Sequence, residues 1–183
     1  MTKDSKRFQT LSSRLIHEDR WIRIRHDIIR RPSGDEGSYT VVEKRDFAVI
    51  VAIENGLIHL VRQYRYPVER SYWEMPQGSY EGTDAISAKD MAIAELREET
   101  GLIAEQIQAL GSFFSVYGYS NQRCHLFLAT GLNHIGQSLN AEEEGLETRS
   151  FPLNIFADMI RNGEIADGTT IAAVGLMKLH GIL

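Results

Sequence analysis

The sequence predicts an α+β fold in which a mixed β-sheet is sandwiched between helices, and three observations carry that expectation. Strand-like segments fall on both sides of one amphipathic helix at about residues 84 to 100. An Asn-Gly turn joins two apolar runs at 47 to 53 and 57 to 64, and two helical patterns close the chain at about 153 to 162 and 168 to 180.

Taken in order, residues about 8 to 31 alternate irregularly around Trp21, Ile22, Ile24, Ile28 and Ile29, a pattern that suits strands, and Arg31-Pro32-Ser33-Gly34 reads as a turn. The run Phe47 to Ile53 is β-branched and almost wholly apolar, so it is expected to be a strand buried on both faces. Asn55-Gly56 supplies the positive φ of a tight turn, and Leu57 to Tyr64 returns. In the helix, Asp84 is a candidate N-cap, Ala85, Ala88, Ala92 and Leu96 share a stripe, and Gly101 stands just past the end. Strand-like segments recur at 111 to 117, 123 to 130 and about 146 to 151, and Asp167 is a candidate cap for the last helix.

With 183 residues, 43% hydrophobic and 25% charged, and no repeat or low-complexity linker, the chain is expected to form a single domain over residues 1 to 183. Its 20 Lys and Arg against 25 Asp and Glu give a net charge of −5, which argues against nucleic acid as a partner and against a polybasic membrane anchor. The longest apolar run, 47 to 53, is far too short to span a bilayer. The one cysteine, Cys124, cannot form an intrachain disulfide, and a reducing cytoplasmic compartment is expected.

Chemistry concentrates at the end of the first helix. Glu95, Glu98 and Glu99 sit at i, i+3 and i+4, where like charges repel and anions oppose the helix macrodipole, by about 0.3–1 kcal/mol each for the latter. At roughly 100° per residue, Glu99 projects within about 20° of Ala92, on the apolar stripe. A hard cation such as Mg²⁺ or Mn²⁺ would relieve the repulsion through oxygen ligands. A solvated acidic helix end eased by Arg97 explains the same cluster, and the cluster alone leaves both readings open.

The stretch Gly78-Ser79-Tyr80-Glu81-Gly82, followed by Ala94-Glu95-Leu96-Arg97-Glu98-Glu99-Thr100-Gly101-Leu102, resembles the Nudix hydrolase box, G-x5-E-x7-R-E-U-x-E-E-x-G-U with U a bulky aliphatic. Every specified position after the arginine matches. The first half departs: Glu95 follows Gly78 by seventeen positions where the family pattern has fifteen, the first glutamate has no clear counterpart beyond Glu81 or Asp84, and Ala94 stands for the arginine that helps orient the metal-binding glutamates. The resemblance covers roughly residues 38 to 180. It implies an α/β/α sandwich, metal held by Glu95, Glu98, Glu99 and the backbone carbonyl of Gln77, and Mg²⁺ as cofactor, with Mn²⁺ as the alternative.

Leu60-Val-Arg-Gln-Tyr-Arg-Tyr66 and Trp73-Glu-Met-Pro-Gln-Gly78 look like the lead-in to the box in ADP-ribose pyrophosphatases and related nucleoside-diphosphate-sugar hydrolases. By that resemblance Arg65 would contact the diphosphate or terminal ribose and Glu74 would help organise the site. An arginine fork suits a diphosphate, although Arg62 and Arg65 can equally be exposed strand residues paired with nearby acids. Asn140 to Thr148 and Met159 to Ile171 resemble the catalytic loop and C-terminal helix pair of that branch, whose general base is a loop glutamate. Read residue by residue it falls on Glu142, with Glu144 next and Glu143 third. The implied partner is a small nucleoside diphosphate derivative, ADP-ribose first. Tyr117, where relatives often carry proline, and Gln77 in Pro-Gln-Gly keep GDP-sugars and dinucleoside polyphosphates as alternatives, and Ala94 keeps a nucleotide-sensing domain without turnover as another. The branch commonly forms homodimers through N-terminal strands, which makes residues about 8 to 45 candidates for packing on a second subunit.

Overall fold

The computed structural model describes residues 7–79, 86–137, 139 and 144–183. The chain divides into two compact units, one of residues up to Arg45 with Val116–Gln122, the other of Asp46–Ser115 with Arg123–Leu183.

The first unit is an antiparallel sheet of three strands in sequence order, β1 (Gln9–Glu18), β2 (Arg23–Arg30) and β3 (Glu36–Glu43). The Asp19 carboxylate accepts the backbone N–H groups of Trp21 and Ile22 at 2.7 and 2.8 Å and so closes the β1–β2 turn. The turn expected at 31 to 34 is present, with Gly34 at φ 97°. Every residue of β1 is exposed, Leu11, Leu15 and Ile16 among them.

The second unit carries the expected mixed sheet between helices. Its strands are β4 (Phe47–Glu54), β5 (Leu57–Arg65), β6 (Arg70–Glu74), β7 (Gln77–Gly78), β8 (Leu102–Phe114), β9 (Arg123–His134) and β10 (Glu147–Pro152); its helices are α1 (Ala88–Thr100), α2 (Leu153–Arg161) and α3 (Gly168–Leu179). The main order is β10-β5-β4-β9-β8, with β4 and β9 parallel and the other pairs antiparallel.

The β4–β5 hairpin turns at Asn55 and Gly56, both at positive φ (50° and 76°) as a type I′ turn requires. Its strands stay paired only from Ala52–His59 to Glu54–Leu57. Beyond that they splay apart: β6 pairs with the far half of β5, and β7 pairs with the near half of β4 through Ala48–Gly78 and Val49–Gln77. Residues 70 to 78 are thereby set into the gap between two core strands.

Strand β4 is buried on both faces, as its composition predicts. Ala48, Ile50 and Ala52 face α1 and pack with Met91, Ala92, Leu96 and Phe127. Val49 and Val51 face the other way, against Phe156 and Met159 of α2 and Ala173 and Met177 of α3.

Two expected boundaries differ. Helix α1 is capped by Ser87, whose hydroxyl accepts the Asp90 N–H at 3.1 Å and donates to the Asp90 carboxylate at 2.7 Å, so it starts later than the Asp84 expectation; Asp84 lies outside the described residues. Strand β8 begins directly after α1 at Leu102. Its register slips between Ala109 and Gly111, where Gly111 takes φ 143°, and this bulge lets one strand continue through a glycine that reads as a break.

Candidate active site

The C-terminal turn of α1 is fixed on several sides. Gly101 has φ 69° and donates its N–H to the Arg97 carbonyl at 2.9 Å. A Cβ there would stand 2.6 Å from the Gln137 nitrogen, so the left-handed backbone and the close approach of residues 136–137 both demand glycine. The Glu99 carbonyl accepts from the Gln137 side-chain amide at 2.6 Å and from the Thr148 hydroxyl of β10 at 3.1 Å. These bonds satisfy a carbonyl that a helix end leaves without an intrahelical partner.

Glu99 is 3% exposed. Its placement beside Ala92 on the helix stripe is what the 100° step predicts, and one carboxylate oxygen accepts the Gln77 N–H at 2.9 Å. Glu95 and Glu98 are half-buried, whereas Arg97 is exposed and forms no ion pair among the described residues. The Glu95 carboxylate lies against the Cα of Gly78, where a Cβ would come within 2.5 Å of its Cδ. Strand β7 thus meets the helix turn twice, through the Gln77 N–H and through the missing side chain of Gly78.

A second run of polar contacts leads away from Gln77. Its side-chain amide donates to Glu74 and to Asp167, both at 3.2 Å. Glu74 is 4% exposed and is ion-paired to Arg65, its neighbour two cross-strand pairs along the same face of β5–β6. Burial pushes the Glu74 carboxyl above its ordinary value; the Arg65 guanidinium opposes that shift and Asp167 adds to it. Asp167 also caps α3, accepting the Thr169 and Thr170 N–H groups at 3.3 and 2.7 Å. Thr170, fully buried, accepts the Met75 N–H at 3.0 Å. Burial, with Asp167 adding to it, pushes the nearby Cys124 thiol up to about 12, which leaves it an inert core group.

Two family models match the chain, a nucleoside diphosphate sugar hydrolase N-terminal domain over residues 8–42 and a NUDIX domain over residues 43–173. The chain belongs to the Nudix family. Among its relatives, an ADP-ribose pyrophosphatase of Mycobacterium tuberculosis is 33% identical over 177 residues, 96% of this chain and 84% of that one. A methanol dehydrogenase activator of Bacillus methanolicus is 30% identical over 178 residues, 96% of this chain and 95% of that one. A solved ADP compounds hydrolase superposes with a TM-score of 0.84 over all of both chains at 19% identity, a likeness of fold.

Nudix hydrolases depend in general on divalent metal, and the donor set here suits a hard cation. Glu95, Glu98 and Glu99 share the last turn of one helix, and Gln77 is tied to Glu99 through its backbone. Among the described residues no three His, Cys, Asp or Glu side chains converge as a metal cage. The Nudix sequence pattern locates Arg65, Glu74, Gln77, Glu95 and Glu99, and the structure joins them in two linked groups. Glu144 stands exposed in the turn before β10, and Glu142 and Glu143 lie outside the described residues. The part played by Asp167 is legible in sequence only as a helix cap. Its bond to Gln77 spans ninety positions, and no local spacing announces it. Arg62, by contrast, pairs with Glu147 at 3.3 Å, as an ordinary strand residue would.

Proposed function

We propose that the protein is a Mg²⁺-dependent hydrolase of the diphosphate bond in a nucleoside diphosphate linked to a second moiety, ADP-ribose first, releasing a nucleoside monophosphate and a sugar phosphate. The observation that carries this reading is the continuous polar run from the carboxylates of α1 through Gln77 to the Arg65–Glu74 pair, which sets an anion-binding fork beside a cation-binding turn. Two relatives named ADP-ribose pyrophosphatase, from Mycobacterium tuberculosis and Bacillus subtilis, support the choice of substrate.

Glu95, Glu98, Glu99 and the Gln77 carbonyl are the ligands in this reading. A bound divalent ion would supply charge neutralisation on the diphosphate and a water of lowered pKa. Glu74 holds Arg65 by one terminal nitrogen of its guanidinium, which leaves the remaining N–H groups of this half-exposed side chain free to reach phosphate oxygens. Glu142 is assigned the proton from the attacking water, with Glu144 the next candidate, since a loop carboxylate can close to within about 3 Å when substrate arrives. The N-terminal sheet, with the apolar side chains of β1 exposed, is assigned to packing on a second copy, and the compartment to the cytoplasm. Light scattering that gives the mass of a single chain would remove the dimer.

The deciding experiment incubates the enzyme with Mg²⁺ or Mn²⁺ and ADP-ribose, GDP-mannose or a dinucleoside polyphosphate and identifies the products. ADP-ribose is expected to turn over fastest, giving AMP and ribose 5-phosphate. Preference for another compound would move the substrate while keeping the chemistry. Ala94 and the relative named as a methanol dehydrogenase activator favour a second reading, a regulator that acts on a partner protein. Tight nucleotide binding with no product from any compound would select it.

A further inference from the structure

The segment that carries Gln77 is tied at every second residue to the connection between α2 and α3. The Trp73 N–H donates to the Glu164 carbonyl at 3.2 Å, the Met75 N–H to the Thr170 hydroxyl at 3.0 Å, and the Gln77 side-chain amide to the Asp167 carboxylate at 3.2 Å. Asp167 is itself held in place. Its carboxylate accepts the Thr169 and Thr170 N–H groups at 3.3 and 2.7 Å, so the contact to Gln77 is made from the fixed first turn of α3.

The pairing of β7 shows what that contact governs. Gln77 stands opposite Val49 of β4, yet its N–H goes to a Glu99 carboxylate oxygen at 2.9 Å, and the Ile50 N–H reaches the Pro76 carbonyl at 2.9 Å. Gln77 and Val49 are therefore a non-hydrogen-bonded antiparallel pair, in which the N–H and C=O of each residue both point away from the partner strand. The Gln77 carbonyl accordingly lies on the same side of its strand as Glu99. Directly opposed residues also share a face, and Val49 packs toward α2 and α3. Gln77 is thus held by α1 through its backbone and by α3 through its side chain.

We propose that Asp167 is a positioning residue for the metal centre: it fixes the Gln77 side chain, and with it the Gln77 carbonyl and the Glu99 carboxylate bonded to the Gln77 N–H, two of the groups that would hold the divalent ion. This role rests on the metal-dependent hydrolysis proposed above and extends it to a residue outside the box. Without Asp167 the Gln77 amide keeps only Glu74, at 3.2 Å. An outer partner of this kind is typically worth about 10–100-fold in metal affinity or activity.

Serine caps a helix about as well as aspartate but is too short to reach Gln77 as well, so Asp167→Ser keeps the cap and removes the contact. Mn²⁺ is titrated into the full-length protein without substrate, and binding is followed by loss of the free-ion electron paramagnetic resonance signal. Turnover of ADP-ribose at a fixed Mg²⁺ concentration is measured on the same preparations, beside a thermal melt. Asp167→Ser is expected to weaken Mn²⁺ binding and to slow turnover, each by about tenfold or more, with the melt little changed. Gln77→Ala removes the same contact from the other end and leaves the α3 cap intact. It should show a loss of the same size, and in its background Asp167→Ser should weaken binding no further. The proposal is overturned by Mn²⁺ binding within about twofold of wild type in either single variant, or by losses that multiply in the double variant. A wild type that binds Mn²⁺ but hydrolyses no compound removes the hydrolase reading and leaves Asp167 to be decided by these titrations; one that binds no Mn²⁺ removes both.

Discussion

Replacing Gly78 by alanine separates positioning from stability at the α1 carboxylates. Gly78 does not use positive φ, so its backbone accepts a Cβ without strain. That Cβ would sit 2.3 Å from the nearer Glu95 carboxylate oxygen, while ordinary van der Waals contact begins at 3.4 Å, so the carboxylate must retreat by 3.4 − 2.3 = 1.1 Å. The atoms that yield are the end of a flexible, half-buried side chain, and the stability cost should stay at or below about 1 kcal/mol, the low end of overpacking. Catalysis is less forgiving, because a misplacement of about 1 Å in a reacting constellation can cost about a hundredfold in rate. The assay is Mg²⁺-dependent hydrolysis of ADP-ribose, read as phosphate released by a coupled phosphatase, beside a thermal melt of the same preparation. A Gly78→Ala enzyme that melts normally and turns over within about threefold of wild type would refute the assignment of Glu95 to the reacting centre.

Glu99→Gln keeps an oxygen to accept the Gln77 N–H but removes the charge, so turnover should fall by about a hundredfold or more with the melt nearly unchanged; normal Mg²⁺-dependent rates would sink the metal assignment. Thr170→Val preserves shape but orphans the buried Met75 N–H, and should cost about 1–3 kcal/mol in chemical denaturation, with Thr170→Ser recovering most of it. His59 on β5 has its pKa lowered from 6.5, chiefly by burial, with Glu54 opposing and His134 adding. The unfolded chain therefore binds the proton more readily than the folded one, and stability should fall as pH drops below 6.5 through the folded value. His59→Gln should flatten that slope in melts between pH 5 and 7, and an unchanged slope would remove His59 as its source.

The parts of the fold most legible in sequence are those whose determinants are local. Asn55-Gly56 sets its own hairpin, the unbroken apolar run of β4 declares burial on two faces, and Gly101 ends α1 because only glycine is comfortable at its φ. The three glutamates are local too, lying within about one turn at the end of one helix. The start of α1 was open to misreading because Asp84 and Ser87 are both good caps; the reciprocal Ser87–Asp90 bonding is the signal that decides it. Strand β8 is hard to see because Glu105, Gln106 and Gln108 interrupt its apolar residues, and because a bulge puts Gly111 in its interior. What no spacing could reveal is the insertion of β6–β7 between β4 and β5. From it follow the bonds of Gln77 to Glu74, Glu99 and Asp167, which join residues 3, 22 and 90 positions apart.

The splay of the β4–β5 hairpin has a consequence for how this chain can vary. Gly78 is held by its pairing to Ala48, and α1 is started by the Ser87 cap, so each end of the connecting stretch is anchored without reference to the other. Closing a connection costs only about 0.6 kcal/mol for each doubling of its length. Residues can therefore be gained or lost between these two anchors while Glu95 keeps its place against Gly78. The two positions by which this box exceeds the family spacing are a change of that kind, and the segment is a natural place to graft or trim sequence without moving the carboxylates.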